Sequence, residues 1–310
     1  MKSSNFINFI DIGCRYGTHP YTKKHISKIN YYGVDADDKE IKRLKKKYKS
    51  FNNVKHYNGV LGELSKNDYL NIYEHKGYIS TKEINKKSLW FDKVRKNEKK
   101  IISRKKVSII KSELFFKKNQ IPFDDILKLD VEGQELEIIR GLHNNIKKFK
   151  AVIFEGHFDE PYKNASNFST INLELSKHFF IGHIELSKIN LSQFYIDKGN
   201  KSLTTPLSCD AIVLNRNFFN LKLINSKYID VLYVLNFFDL ILFFLEKKPQ
   251  LINNCCFKKE IHKKIAGILV EKLKEIGVNK NKVKNFYKKV FNKDLPLLNK
   301  YYESNFFNPD

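Results

Sequence analysis

Arginine is scarce in this 310-residue sequence: only Arg15, Arg43, Arg95, Arg104, Arg140 and Arg216 stand among 57 basic side chains, and the rest are lysine. The formal charge of +23 therefore carries little of the planar, bidentate donor chemistry by which nucleic-acid surfaces read phosphate and guanine. Excess lysine and asparagine is what A/T-rich codons produce, so nucleic acid is not the expected partner. Cysteine is sparse too. Cys14, Cys209, Cys255 and Cys256 form no CxxC pair and have no histidine at zinc-finger spacing, which excludes a disulfide scaffold and a zinc finger. The opening MKSSNFINFI lacks a basic start followed by a small-residue cleavage site, so the expected setting is reducing and cytoplasmic. No repeat period is present. Hydrophobic residues make up 42% of the chain, enough for a real core and too many for a disordered tail.

Apolar runs bounded by turn residues alternate with helical patterns through the first two thirds. The expected strands are Asn5–Ile12, Tyr31–Asp35, Val54–Leu61, Ile126–Asp130, Ala151–Glu155 and Cys209–Leu214. Several are nearly continuous apolar runs, as strands buried on both faces of a mostly parallel sheet must be. Lys39–Tyr48 and Glu135–Leu142 read as helices between them, which predicts an α/β sandwich with right-handed crossovers.

Two regions depart from the alternation. Residues 76–118 carry 15 basic against four acidic side chains, a net +11, and hold the single tryptophan, Trp90. This stretch reads as a basic insertion or flap: either a solvated lysine-rich helix with a loop, or a cover that attracts an anionic substrate. The second region, 217–310, reads as a helical C-terminal extension to a domain spanning 1–216. Its Tyr228–Leu245 segment approaches membrane-spanning length but contains Asp230, Asn236 and Asp239. Carboxylates are costly at bilayer depth, so a buried helix is expected, with membrane-surface contact through 228–245 as the alternative. Lys258–Val278 and Lys280–Phe291 follow as amphipathic helices with a break near Gly277.

Four segments carry chemistry. In FINFIDIGCRYGTHPYT a strand ends at Asp11, and Gly13 and Gly17 follow as D-x-G-x-x-x-G. These glycines allow a tight turn and close approach of backbone to a ligand at the carboxyl edge of the sheet. Position 15 is arginine and position 19 histidine, so the dinucleotide pattern G-x-G-x-x-G is absent, as is the phosphate loop. A zwitterionic amino-acid end suits the spare amides and Asp11 better than a pyrophosphate does. In YYGVDADD, about twenty residues on, Asp35 closes the second strand, where a carboxylate accepts two hydrogen bonds from a ribose diol. Together the two features favour S-adenosylmethionine. The third segment, DDILKLDVEGQELEIIRGL, delivers Asp130, Glu132 and Glu135 to the same edge. The fourth, KAVIFEGHFDEPY, brings Glu155, Gly156 and His157 to a strand end beside it. His157 is the candidate general base, with Asp130 and Glu132 orienting it or the acceptor. If a divalent metal is used, Asp130, Glu132 and Glu155 are its ligands.

With these segments the chain resembles the FkbM family of S-adenosylmethionine-dependent methyltransferases. Asp11-Ile12-Gly13-Cys14-Arg15-Tyr16-Gly17 is similar to the family's D-V-G-A-N-x-G-like first motif, with Arg15 in the place of the usual asparagine. Asp35 looks like the acidic second motif. Tyr57–Glu63 resembles the third-strand motif and puts Val60 and Leu61 near adenine. LKLDVEGQELEIIRG is close to K-I-D-V-E-G-x-E-x-x-V-L-x-G, and IFEGH and CDAIVLN resemble the strands that follow. The resemblance covers roughly Asn5 to Arg216 and implies a Rossmann-like, seven-stranded sheet with helices on both faces. It implies O-methylation, typically of a sugar, glycan or glycosylated metabolite, with Asp11, Gly13, Arg15, Tyr16 and Gly17 around the cofactor. A phosphate-bearing acceptor would suit the basic insertion. The rival readings are a module of this fold that acts without turnover through its helical tail, and a nucleic-acid methyltransferase.

Overall fold

Strands buried on both faces need a covered, mostly parallel sheet, and the apolar runs assemble into one. The protein is described as a computed structural model at residues 6–75, 77–94, 100–189, 205–275 and 278–295. In chain order the strands are β1 (Ile7–Ile12), β2 (Ile29–Asp35), β3 (Val54–Asn58), β4 (Val60–Gly62), β5 (Lys66–Tyr73), β6 (Ile79–Ser80), β7 (Ile101–Lys111), β8 (Asp125–Leu129), β9 (Phe149–His157), β10 (Phe179–Ile189) and β11 (Thr205–Asn215). The helices are α1 (Pro20–Lys23), α2 (Asp38–Lys47), α3 (Ser112–Lys118), α4 (Glu135–Leu142), α5 (Phe168–Ser176), α6 (Ser226–Val234), α7 (Phe238–Lys247), α8 (Lys258–Lys272) and α9 (Lys280–Phe291).

Seven strands form the main sheet in the order β10-β11-β9-β8-β1-β2-β3, with β11 antiparallel to both its neighbours and β9–β8, β8–β1 and β2–β3 parallel. From β1 the chain winds outward through β2 and β3. It then returns to lay β8 on the other side of β1, so β1 and β8 flank the topological switch point, where ligands bind in open α/β sheets. The core runs through this sheet: Ile10, Leu127, Leu129, Val152, Phe154 and Val213 pack with Phe115 and Phe116 of α3, Ile138, Ile139 and Leu142 of α4, and Ile171 and Leu175 of α5.

Two expectations are corrected. Val54–Leu61 is not one strand: it breaks at Gly59, β3 closes the main sheet, and β4 enters a separate four-stranded sheet, β4-β7-β5-β6. The basic stretch is also not a lysine-rich helix at its centre. Residues 101–111 form β7, paired antiparallel with β5, because Ile101, Ile102, Val107, Ile109 and Ile110 favour extended backbone. The lysines and arginine of IISRKKVSIIK hid it, since most of β7 is exposed and lacks a clean alternation.

The chain divides into two compact units, residues 8–221 and a second containing the chain from Lys222 on. In the second unit the long apolar segment is not a single helix. It splits into α6 and α7 around Asn236, whose φ of +63° ends a helix as only asparagine or glycine readily does. Asp230 sits at 2% exposure and is accounted for: it accepts hydrogen bonds from the Cys256 and Phe257 backbone N–H groups at 2.8 and 3.0 Å, holding the start of α8. Asp230→Ala removes that charged acceptor from both N–H groups, and the expected loss is about 3 kcal/mol of stability. Urea denaturation of the full chain checks it. No helix among the described residues is long and apolar enough to cross a membrane. The break expected at Gly277 lies outside the described residues.

Candidate active site

At the β1/β8 switch point the strand ends are pinned before any side chain acts. Gly13 donates its N–H to the Val34 carbonyl at 2.8 Å, and Asp130 donates to the Ile12 carbonyl at 3.0 Å. Gly13 has φ +86° and lies so close to the next strand that a Cβ would stand 1.8 Å from the Asp130 carbonyl oxygen. Gly17 has φ +124° and Tyr16, unusually for a side-chain-bearing residue, φ +72°. This turn opens onto a cavity of about 510 Å³ walled by Asp11, Gly13, Arg15, Tyr16 and Gly17 on one side and Asp35 on another. Gly59, Val60 and Leu61 supply an apolar wall, Ile138 of α4 adds to it, and Asp130 and Glu132 close the far side.

A buried lysine organises the floor. Lys128 Nζ lies 3.1 Å from Asp11 Oδ1 and 3.1 Å from Asp130 Oδ2, and donates to the Gly13 carbonyl at 3.3 Å. Burial works against its charge, but the two carboxylates outweigh burial and push its pKa well up. Asp11 also accepts a hydrogen bond from the Tyr31 hydroxyl at 2.6 Å. One cation thus ties the ends of β1 and β8 to the glycine turn. Sequence reading passed over Lys128, although a lysine inside an otherwise apolar strand is itself a signal of buried pairing.

The other carboxylates are sorted by their partners. Asp35 ends β2 and accepts a hydrogen bond from the Asp37 N–H at 2.8 Å. Burial pushes its pKa up to about 6, against that bond and the nearby Arg15 guanidinium. Arg15 itself pairs with Asp37 at 3.1 Å, the residue that caps α2. Glu132, with φ +56°, accepts a hydrogen bond from the Tyr162 hydroxyl at 2.5 Å; burial raises its pKa. Glu135 does not face a ligand. Its Oε1 accepts from the Val131 and Gly133 N–H groups at 3.0 and 3.4 Å, bracing the turn, and burial pushes its pKa up to about 7.

The expected site is therefore brought together with two exceptions. Asp11, Gly13, Arg15, Tyr16, Gly17, Asp35, Val60, Leu61, Asp130 and Glu132 all line the cavity, whereas His157 and Glu155 do not. The histidines that do are His19 and His75, neither of which stood out in sequence. His19 Nδ1 accepts from the Tyr21 N–H at 3.4 Å, and burial lowers its pKa. The hypothetical metal triad of Asp130, Glu132 and Glu155 is not formed: Asp130 pairs with Lys128 and Glu132 accepts from Tyr162. Among the described residues no cluster of three or more His, Cys, Asp or Glu side chains is arranged to hold a metal ion.

A glycine turn at the end of β1, a carboxylate at the end of β2 and an apolar wall beyond it define an S-adenosylmethionine-dependent methyltransferase. The Methyltransferase FkbM domain profile matches residues 16–181, more than half of the chain, and the protein belongs to the FkbM methyltransferase family. No curated protein sequence matches it. Among solved structures it is similar to M. capricolum TrmK in complex with its cofactor product S-adenosyl-homocysteine, at 13% identity over 92% of this chain and 90% of that one, with a TM-score of 0.34. It is also similar to Streptococcus pneumoniae Sp1610, a putative tRNA (m1A22) methyltransferase, at 9% identity over 93% and 92%, with a TM-score of 0.35. A third is a TehB-like SAM-dependent methyltransferase from Corynebacterium glutamicum, at 12% identity over 68% and 80%, with a TM-score of 0.29.

The residues present fit that cofactor. Gly13, with no side chain, lets the turn close against Asp130 and line the cavity, and Asp35 reaches the cavity where a ribose diol needs an acceptor. If the ionised form of Asp35 is the one that binds, a proton competes with the ribose. S-adenosylmethionine affinity is then expected to fall roughly tenfold between pH 7.5 and pH 5, given a carboxyl titrating near 6. Asp35→Asn should flatten that profile; calorimetry at four or five pH values reads it, and an unchanged slope in the variant would reject the assignment.

Proposed function

We propose that the chain is O-directed and methylates a hydroxyl of a sugar, glycan or glycosylated metabolite. The observation that carries this is the wall facing the cofactor end of the cavity. Asp130, with 44% of its side chain exposed, Glu132 and Tyr78 all line the cavity. Carboxylates are strong acceptors for sugar hydroxyls, and a ring gives a sugar face an apolar partner.

Bound S-adenosylmethionine supplies a methyl group already activated on a sulfonium. What the protein must add is mainly alignment of the acceptor oxygen. Asp35 and the Gly13 turn fix one partner. Asp130, itself fixed by Lys128, orients the acceptor hydroxyl and receives its proton as the new bond forms. His157, expected as the base from sequence, lies outside the cavity, and burial pushes its pKa down to about 4, which makes it a weak proton acceptor.

Methyl transfer from labelled S-adenosylmethionine to a panel of glycans tests the reading. The expected product is an alkali-stable methyl ether, formed about 10²-fold more slowly by Asp130→Asn. Labelling only as base-labile ester, or a rate untouched in Asp130→Asn, would reject it.

A further inference from the structure

The sheet places four carboxylates in one row. Leu129 of β8 stands opposite Phe154, so Asp130, one residue on, comes level with Glu155 of β9. Glu155 is opposite Asp210 of β11, and Asp210 is opposite Glu185 of β10. Residues directly opposite one another project from the same face of a sheet, and at an inter-strand spacing of about 4.8 Å the row spans roughly 14 Å. It starts at the cavity wall, where Asp130 stands, and runs outward across the sheet.

Like charges directly opposite destabilise a ladder, and among the described residues only the first of the four is paired with a lysine, Lys128. Among the described residues no lysine or arginine pairs with Glu155, Asp210 or Glu185. The charges sense one another: burial first, and then the neighbouring carboxylates, raise the pKa of both Glu155 and Asp210.

His157 points to a ligand independently. It lies two residues beyond Glu155 on β9, and so on the same face, at 8% exposure. Its Nδ1 has no hydrogen-bond partner, and its Nε2 is aimed at Glu155, 3.9 Å from Oε1. Aromatic rings stand by the row. Trp90 lies edge-on to His157 at 6.1 Å, and Tyr21 is close enough to Glu185 and Asp210 for their charge to add to burial in raising its phenol pKa. Carboxylates beside aromatic rings are a setting for a protonated amine.

We propose that this row is an amine subsite, and that the acceptor is a carbohydrate bearing protonated amino groups, seated on Glu155, Asp210 and Glu185 with a neighbouring hydroxyl turned toward Asp130. The proposal rests on the acceptor reading above. An amino sugar supplies N–H donors and positive charge to the three carboxylates that have no lysine or arginine partner among the described residues.

Calorimetry on the full chain saturated with S-adenosyl-homocysteine, at low ionic strength and a pH at which the amines are protonated, tests it. The probes are a β-1,4-linked glucosamine trimer and the same trimer N-acetylated, which share a skeleton and differ in charge. The free-amine trimer is expected to bind at least tenfold more tightly. In the Asp210→Asn, Glu185→Gln double variant that advantage should vanish while S-adenosyl-homocysteine affinity stays unchanged. Equal or absent binding of the two trimers, or a double variant that keeps the preference, overturns the proposal. Failure of the wild type to bind S-adenosyl-homocysteine would count against the methyltransferase assignment instead, and the trimer comparison would still decide the row.

Discussion

Gly13→Ala is expected to abolish measurable S-adenosylmethionine binding and to cost the sheet unit about 3 kcal/mol or more, in the range of substitutions that combine overpacking with backbone strain. The new methyl would stand 1.8 Å from the Asp130 carbonyl oxygen, at a φ of +86°. Neither partner can yield. Gly13 is tethered to Val34 and Asp130 to Ile12 by backbone hydrogen bonds, so relief of the clash must part β1 from β8 at the switch point. Gly17→Ala is the internal control. Its Cβ would meet the Tyr48 hydroxyl at 3.0 Å, the far end of a side chain that can swing aside, so a smaller loss is expected despite the φ of +124°. Thermal unfolding and calorimetry on the two variants decide the order; equal effects would mean that backbone strain, and not the approach to Asp130, sets the requirement for glycine.

Lys128→Met is expected to destabilise the same unit by about 3–5 kcal/mol, the usual cost of removing one partner from a buried ion pair. The substitution keeps all but one atom of the lysine's length and leaves Asp11, at 1% exposure, with the Tyr31 hydroxyl as its hydrogen-bond partner among the described residues. It also frees the Gly13 carbonyl. The damage should lie in the unpaired carboxylates more than in lost packing, so Asp11→Asn and Asp130→Asn added to Lys128→Met should recover part of the loss. Urea titration measures both. A triple variant no more stable than the single one would show that Lys128 acts chiefly by packing.

The sheet was legible because burial on both faces writes itself as uninterrupted apolar runs. INFIDI, ILKL and AVIFEGH need no partner to be recognised as strands. The site was legible to the extent that its residues lie at strand ends next to glycine: Asp11, Gly13, Asp35 and Asp130 all follow that rule. What escaped depended on contacts that sequence spacing does not encode. The separation of β3 from β4 turns on Gly59, and β7 hides behind its lysines because an exposed strand needs no apolar alternation. His157 looked catalytic because it follows a strand end. The register puts it beside the cavity and not in it, while His19 and His75 arrive from loops. The row from Asp130 to Glu185 joins positions 55 residues apart and exists only once four strands are in register.

The central claim is that residues 11–17, Asp35 and the β4 wall hold S-adenosylmethionine. Calorimetric titration of wild type and Asp35→Ala with S-adenosylmethionine tests it most directly. Saturable one-to-one binding by the wild type, weakened at least tenfold in a variant that remains folded, is the predicted result. A well-folded wild type that binds none, or an Asp35→Ala variant that binds as tightly as the wild type, would contradict it.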